Sequence, residues 1–212
     1  NIAAYYAENR DEIRSQSDRL QDVFVRLEPE PAASGEALTV TPLGDARAHF
    51  AQTFDREYGG FGAAPKFPHP TSIDRLLRHW RTGASDAEPD IEALFMATLS
   101  LTRMAEGGLF DHVGGGFCRY SVDRYWQIPH FEKMLYDNGP LLALYAQAAL
   151  ATGETLFADT ANATADWMLA DMQADNGGFF STRDADSEGH EGLYYLWRPE
   201  QVRELLGEDY AI

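Results

Sequence analysis

Residues that could carry out chemistry are concentrated between positions 107 and 138. This stretch places imidazole, carboxylate, guanidinium and ammonium groups among aromatic rings and glycines, whereas protein cores consist mainly of aliphatic side chains. Sugars and other polyols bind to such mixed surfaces, because aromatic faces cover their C–H sides and charged groups bind their hydroxyls. The stretch therefore predicts a polar cleft. Its ionisable candidates are Asp111, His112, Arg119, Asp123, His130, Glu132, Lys133 and Asp137.

The residues after Pro129 predict how this chemistry is positioned. Proline fits the first turn of a helix, so we expect a helix to begin at His130. On such a helix His130, Lys133 and Asp137 share one face and form a polar triad above a buried apolar face. In a purely structural alternative, His130 satisfies a backbone group and Lys133 forms an ion pair with Asp137 one turn later.

A glycine-phenylalanine pair recurs about every sixty residues, and each interval has room for two helices. Because consecutive helices run antiparallel, loops that follow every second helix emerge at the same end of the assembly. The repeat therefore predicts helical hairpins whose long loops gather on one rim, as in an α/α toroid. The alternative is a coincidence in a glycine-rich chain. The three pairs are Gly60-Phe61, Gly116-Phe117 and Gly178-Phe179.

Apolar periodicity and capping residues predict a mainly α chain with short β-hairpins in the rim loops. A charged helix over 2–27 and a Pro-rich linker over 28–36 make a connecting segment, 1–36, before a domain over 37–212. Short strands are expected over 114–121 and 125–128, and a hairpin is expected between 179–182 and 193–197. The helices predicted in the second segment are 41–58, 71–82, 90–106, 130–151, 154–173 and 199–206.

Two further loops carry candidate ligand-binding residues. The loop over 59–70 holds Lys66 and His69 between phenylalanines, and the loop over 177–197 has an acidic tip. This tip does not match an EF-hand, because counting from Asp184 places Tyr195 where the bidentate glutamate is required. No zinc motif occurs either, so we expect no metal and no cofactor. The acidic residues of the tip are Asp184, Asp186, Glu188 and Glu191.

Charge and cysteine content narrow the class of protein. The 212 residues carry a formal net charge of −17 at pH 7, which repels phosphate backbones and anionic lipid. We therefore expect neither nucleic-acid nor membrane binding. Cys118 is the single cysteine, so no internal disulfide can form, and we expect a reducing, cytoplasmic location.

Three sequence blocks, GGFGAAPKFPHP, GGGFCRYSVDRYWQIPHFEKMLYDN and GGFFSTRDADSEGHEGLYYLW, resemble the signature blocks of the YyaL-like family. These are thioredoxin-domain-containing proteins that include a spermatogenesis-associated member in animals. The resemblance implies a partial (α/α)6 toroid, similar to N-acylglucosamine 2-epimerases and six-hairpin glycosidases. It also implies that a thioredoxin-like domain lies outside this chain, before the connecting helix.

The resemblance implies carbohydrate chemistry of one of two kinds. In an epimerase-like reaction, His130 and His112 would act as acid and base. In a glycosidase-like reaction, a carboxylate pair drawn from Asp111, Asp123 and Asp137 would act instead. The residues expected to bind a small carbohydrate are Arg119, Asp123, Trp126, Lys133, Tyr120, Lys66, His69, Phe61, Asp184, Asp186 and Glu188.

One alternative to an enzyme and one prediction about association accompany this hypothesis. The rim could belong to a non-catalytic module that binds a glycan or a protein for an attached thioredoxin-like domain. In addition, three hairpins of a six-hairpin ring leave apolar helix faces uncovered, so we expect the chain to pair with a second copy or to expose an apolar patch.

Overall fold

The computed structural model describes residues 2–28, 37–83 and 89–211. Its contacts divide the chain into two units, Asn1–Val40 and Thr41–Ile212. Almost all of the predicted 28–36 linker lies outside the described residues. In the first unit, α1 (Ile2–Glu8) and α2 (Arg10–Leu27) contain no buried residue. The single helix predicted there is interrupted at Asn9, whose backbone leaves the helical conformation.

The second unit consists of helical hairpins. Asp90 caps the helix Ile91–Glu106 by accepting the N–H of Ala93 at 3.0 Å, and Gly153 ends the helix Leu135–Thr152 in the left-handed conformation, as a C-terminal glycine commonly does. The predicted helices are confirmed to within a few residues at most ends. The helices are α3 (Thr41–Thr53), α4 (Pro70–Gly83), α5 (Ile91–Glu106), α6 (Leu135–Thr152), α7 (Thr155–Trp167), which continues as a π-helical turn (Met168–Met172), and α8 (Pro199–Leu206), which is followed by a 3₁₀ turn (Gly207–Ala211).

The hairpins pack in two layers. Helices α4 and α6 are neighbours in one layer, α5 and α7 are neighbours in the other, and α4 packs on α5 as α6 packs on α7. The core lies where these helices meet, around Met96, Leu101 and Tyr145, none of which is exposed. Loops long enough to build a site follow α3, α5 and α7. We call them the first loop (54–69), the second loop (107–134) and the third loop (173–198).

Short antiparallel strands connect these loops. Strand β1 (Tyr120–Ser121) pairs with β2 (Pro129–His130) within the second loop. Strand β3 (Lys133–Met134) pairs with β4 (Thr182–Arg183), so the second and third loops share a sheet. Strands β5 (Asp186–Ser187) and β6 (His190–Glu191) form a hairpin at the end of the third loop.

Four sequence-based predictions about these elements are wrong. The strands expected over 114–121 and 125–128 form only at 120–121 and 129–130, because residues 122–128 make the turn between them. The helix expected from His130 begins at Leu135, because residues 129–134 pair with neighbouring loops as strands, and Pro129 occupies a strand position where no N–H is needed. His130, Lys133 and Asp137 therefore do not share a helix face. The helix from Thr41 ends at Thr53, because Phe54 pairs with Phe61. The hairpin between 179–182 and 193–197 does not form, because β4 pairs with β3 instead.

Some apolar side chains remain uncovered on these helices. Tyr136 is 57% exposed and Leu150 is 89% exposed on α6, and Leu205 is 68% exposed on α8. Single exposed apolar side chains are normal on protein surfaces and do not by themselves mark a contact surface. Pairing with a second copy stays a prediction.

Candidate functional site

The three glycine-phenylalanine turns share one backbone motif. Each is closed by an isolated antiparallel bridge, and in each the carbonyl of the glycine directly before the phenylalanine accepts the N–H of the residue after the first bridging position, at 2.8 to 3.0 Å. Glycine is required in the first two turns, because a Cβ at Gly60 or Gly116 would lie 2.5 Å from a tryptophan ring. The bridges join Phe54 to Phe61, Phe110 to Phe117, and Gln173 to Phe179.

A buried lysine holds the first turn. Lys66 Nζ donates to Asp55 Oδ2 at 2.7 Å and to the carbonyl of Gly59 at 2.8 Å. Burial of Asp55 opposes its ionisation, but the hydrogen bonds from Lys66 and from the turn lower its pKa well below the usual range. Lys66 is only 1% exposed, so its ammonium stabilises the turn and is not available to a ligand.

The second turn is held in the same way. Lys133 Nζ donates to Asp111 Oδ2 at 2.8 Å and to the carbonyl of Gly115 at 2.7 Å. Burial alone would raise the pKa of Asp111, but the Gly114 N–H and Lys133 lower it overall. Asp111 is thus an ionised structural group, and Lys133, also 1% exposed, is its partner. This geometry argues against a catalytic role for Asp111 and against ligand binding by Lys133.

We call the Lys66–Asp55 and Lys133–Asp111 pairs the lysine clamps. Backbone hydrogen bonds join the loops that contain them. The N–H and carbonyl groups of Lys66 and Ser121 exchange two hydrogen bonds of 2.8 Å, which join the first loop to the second. The β3–β4 pair joins the second loop to the third. The three loops therefore lie side by side, and we call the surface that they form the rim.

A row of rings crosses the junction of the first and second loops. Phe67 lies 4.8 Å from Tyr120, and Tyr120 stacks on the imidazole of His130 at 4.8 Å with an interplanar angle of 16°. His69 contacts both Phe61 and Phe67 edge-on or at a tilt, and desolvation lowers its pKa. We call Phe61, His69, Phe67, Tyr120 and His130 the ring row.

Two candidate catalytic residues carry a buried polar atom that has no partner. Within the described residues, only His130 Nδ1, Asp137 Oδ2 and Arg75 Nε are buried without a hydrogen bond. Most buried polar atoms in proteins are paired, and exceptions often have a functional reason. His130 Nε2 lies 3.6 Å from Glu191 Oε1. His130 Nδ1 and Asp137 Oδ2 are thus polar atoms whose hydrogen-bonding capacity no described residue uses.

Burial changes the chemistry of Asp137. The residue is 6% exposed at the start of α6, and desolvation raises its pKa from 3.8 to about 6, although the nearby charge of Arg119 acts in the opposite direction. Arg119 itself is bound to Glu132 at 2.7 Å. A carboxyl group with such a pKa is partly protonated near neutral pH and can donate a proton.

The remaining residues predicted from the sequence are placed as follows. His112 is exposed, and its Nε2 lies 2.9 Å from the carbonyl of Gly107, with no contact to His130. Asp123 accepts three backbone N–H groups and stabilises the turn between β1 and β2. Trp126 is fully buried and donates to the carbonyl of Tyr58 at 2.8 Å, so its face cannot stack on a sugar.

The acidic tip of the third loop is a turn and not a cluster of ligands. Asp184 accepts the N–H of Asp186, which pairs with Glu191 across the hairpin, and Glu188 occupies the turn with a φ of 52°. No group of three or more potential metal ligands occurs within residues 2–28, 37–83 and 89–211. Nor does any helix in that part of the chain have the length and apolar character needed to cross a membrane.

Sequence reasoning missed the lysine clamps and the role of Glu191. The octapeptides FDREYGGF and FDHVGGGF, at 54–61 and 110–117, repeat the aspartate at the same offset from the glycines. That offset could have indicated a shared turn with an acidic partner site. No local signal pairs Glu191 with His130, because the contact joins separate loops.

Searches for related proteins identify long relatives. No protein-family model matches the chain. Spermatogenesis-associated protein 20 of Mus musculus is 43% identical over 161 residues, which are 73% of this chain and 20% of the mouse protein. An uncharacterized protein of Caenorhabditis elegans is 34% identical over 212 residues, which are 96% of this chain and 29% of that protein. The chain thus spans between a fifth and a third of the length of these relatives.

Solved structures that resemble this chain include sugar epimerases. A sugar epimerase from a ruminal bacterium matches 72% of this chain and 44% of its own, with a TM-score of 0.55 and 13% identity. The cellobiose 2-epimerase of Bacillus thermoamylovorans matches 69% and 42%, with a TM-score of 0.54 and 15% identity. At such identities the likeness shows the fold alone. The expected partial α/α toroid of the N-acylglucosamine 2-epimerase type is confirmed.

Proposed function

Because this chain belongs to the family of spermatogenesis-associated protein 20 and has the fold of sugar 2-epimerases, we propose that its rim transfers protons at a sugar carbon next to a carbonyl group. The observation that carries the proposal is the pair of buried, unpartnered atoms, His130 Nδ1 and Asp137 Oδ2. His130 lies on the rim and Asp137 lies on the first turn of α6, just after the second loop, and each is a group that can accept or donate a proton.

The chemistry follows from the sugar itself. A C–H bond next to a carbonyl is acidic enough for a positioned base to remove the proton, which leaves an enediol once the carbonyl oxygen is protonated, and return of a proton from the same base restores the carbonyl with hydrogen exchange at that carbon. The unpartnered Nδ1 of His130 is the base. Asp137, with a pKa of about 6, supplies a proton to the carbonyl oxygen while its own charged form is disfavoured by burial.

The surrounding groups suit a sugar ring. Phe67 is partly exposed at the end of the ring row, and aromatic faces pack against sugar C–H groups, whereas Tyr120 is stacked between Phe67 and His130 and holds the imidazole in place. Arg119 and Glu132 pair with each other and retain donor and acceptor capacity for hydroxyl groups. Lys66, Lys133 and Trp126 are buried, so we assign them to the frame that holds these groups.

Proton transfer is favoured over glycoside hydrolysis. Hydrolysis needs two carboxyl groups on either side of the scissile bond. Asp111 is bound to Lys133, and Asp123 is bound to three N–H groups, so neither of these two carboxylates is available. A non-catalytic glycan-binding role would use the same ring row but would not require unpartnered acid and base atoms.

Deuterium exchange tests the proposal. The intact protein is incubated in deuterated water with a panel of monosaccharides and disaccharides that includes glucose and cellobiose, and exchange at the carbon next to the carbonyl is followed by NMR. We expect exchange, and we expect His130→Ala to slow it by about a hundredfold or more, because general acid–base groups contribute that much. His49→Ala, an exposed histidine on α3, is the matched control and should exchange at the wild-type rate.

Two results would contradict this function. One is wild-type exchange by the His130→Ala protein. The other is the absence of exchange for every sugar on the panel, and release of reducing sugar in that case would indicate a hydrolase.

A further inference from the structure

A separate cavity in the third loop has the character of a sugar-binding site. Its volume is about 260 Å³, below the range of about 300 to 1,000 Å³ of pockets for drug-sized ligands, so it suits a smaller group such as one sugar ring. We call it the third-loop cavity. The residues that define it are Asp171, Arg183, Asp184, Ser187, Tyr194 and Tyr195.

We propose that the third-loop cavity is a second sugar subsite, which accepts the non-reacting pyranose ring of a disaccharide whose reacting ring lies at His130. The inference rests on the proposed function, because it assigns the reacting ring to His130. It adds a preference for disaccharides over monosaccharides.

The lining groups offer both donors and acceptors. Asp184 uses one carboxylate oxygen to accept the N–H of Asp186, and its other oxygen makes no hydrogen bond with a described residue. Burial raises the pKa of Tyr195 to about 12, so its hydroxyl stays a neutral donor at every physiological pH. Tyr194 is 75% exposed and stands edge-on to Tyr195, with ring centroids 5.1 Å apart, so its face can cover a ring.

The charge of the cavity favours a neutral ligand. Arg183 donates to the backbone carbonyl of Asp171, and the carboxylates of Asp171 and Asp184 give the lining a net negative charge. A phosphate or a sugar acid would be repelled by these two carboxylates. A neutral sugar ring carries several hydroxyl groups, which can both donate to the Asp184 carboxylate and accept from the Tyr195 hydroxyl.

Residues next to His130 pack against the wall of the cavity. Phe131, the next residue, stacks on Tyr195 with ring centroids 5.3 Å apart and an interplanar angle of 5°. Glu191 of β6 lies 3.6 Å from His130, and Gly192 packs so closely on Phe131 that a Cβ would lie 2.5 Å from its ring. Tyr195 of the cavity wall and the imidazole of His130 are thus linked through Phe131 on one segment and through Glu191 and Gly192 on the other, which favours a ligand that contacts both.

Protein-observed NMR tests the inference by binding alone. The chain is titrated with cellobiose, lactose and maltose, and with glucose for comparison, and amide shifts are followed. We expect at least one disaccharide to shift residues of the third-loop cavity together with residues beside His130. We also expect that disaccharide to bind more tightly than glucose.

Variants separate this site from the ring row. Tyr194→Ala and Asp184→Asn should each weaken the disaccharide by about tenfold, the loss expected for one good charged hydrogen bond or ring contact, and should leave glucose unchanged. Tyr5→Ala and Asp159→Asn alter exposed residues elsewhere and should have no effect.

The outcomes distinguish the two proposals. Equal binding of disaccharides and glucose, or unchanged binding by both cavity variants, would overturn the subsite even if deuterium exchange is observed. Disaccharide binding that depends on Tyr194 supports the subsite, and a lack of exchange by the same protein would then count against the proton-transfer chemistry alone.

Discussion

Replacement of Asp137 with asparagine should remove a pH-dependent loss of stability. Burial raises the pKa of this carboxyl from 3.8 to about 6. When the pKa of a carboxyl group is higher in the folded protein, the folded protein binds that proton more tightly than the unfolded chain does. The resulting contribution to the free energy of unfolding is complete below the unfolded pKa and is lost as the pH rises through the folded pKa. Since one pKa unit corresponds to about 1.4 kcal/mol, ionised Asp137 should lower the free energy of unfolding by about 3 kcal/mol at pH 8.

Urea denaturation of wild type and Asp137→Asn measures this effect. The variant should gain about 2 kcal/mol relative to wild type between pH 4 and 7, because asparagine has the same shape and no charge to desolvate. Any fixed cost of the new amide is the same at both pH values and cancels from this comparison. Asp159→Asn on the exposed side of α7 should show no such trend. A difference between wild type and Asp137→Asn that stays constant across this range would refute the desolvation of Asp137.

Three other predictions concern the frame of the rim. Lys133→Met should reduce the free energy of unfolding, measured by denaturation, by about 3 kcal/mol, because it leaves the Asp111 carboxylate without its cation. A negligible change would contradict the structural role of this ion pair. Gly116→Ala should lower the melting temperature far more than Gly62→Ala. Both glycines have a positive φ, but only the new Cβ at position 116 would meet the ring of Trp167. Equal melting temperatures would count against the packing of Gly116 on Trp167. Burial raises the pKa of the Cys118 thiol to about 11, so a thiol reagent should react only after denaturant is added, and rapid labelling of the native chain would be inconsistent with it.

The helical frame could be predicted because its signals are local. Apolar spacing and the cap at Asp90 depend on residues within a few turns of each other, and the predicted helix over 90–106 differs from α5 by one residue. The recurrence of glycine-phenylalanine turns likewise indicated loops at one end. Such signals require no knowledge of distant contacts.

The arrangement of the site could not be predicted in the same way. Pro129 suits a helix start and a strand edge equally, and only pairing with Ser121 and with the third loop selects the strand. The partner of Lys133 is Asp111, 22 positions earlier, and not Asp137 four positions later. Long-range partners of this kind depend on tertiary structure. For this reason Lys133, which the sequence predicted to bind a ligand, holds a turn of the second loop instead.

A crystal structure with a bound sugar from the exchange panel tests the central claim most directly. We expect the sugar carbonyl and its neighbouring carbon to lie within hydrogen-bond reach of Asp137 Oδ2 and His130 Nδ1, with Phe67 against the ring. A sugar bound elsewhere on the chain, with these two atoms paired to protein groups, would contradict the assignment of His130 and Asp137 as the base and the acid.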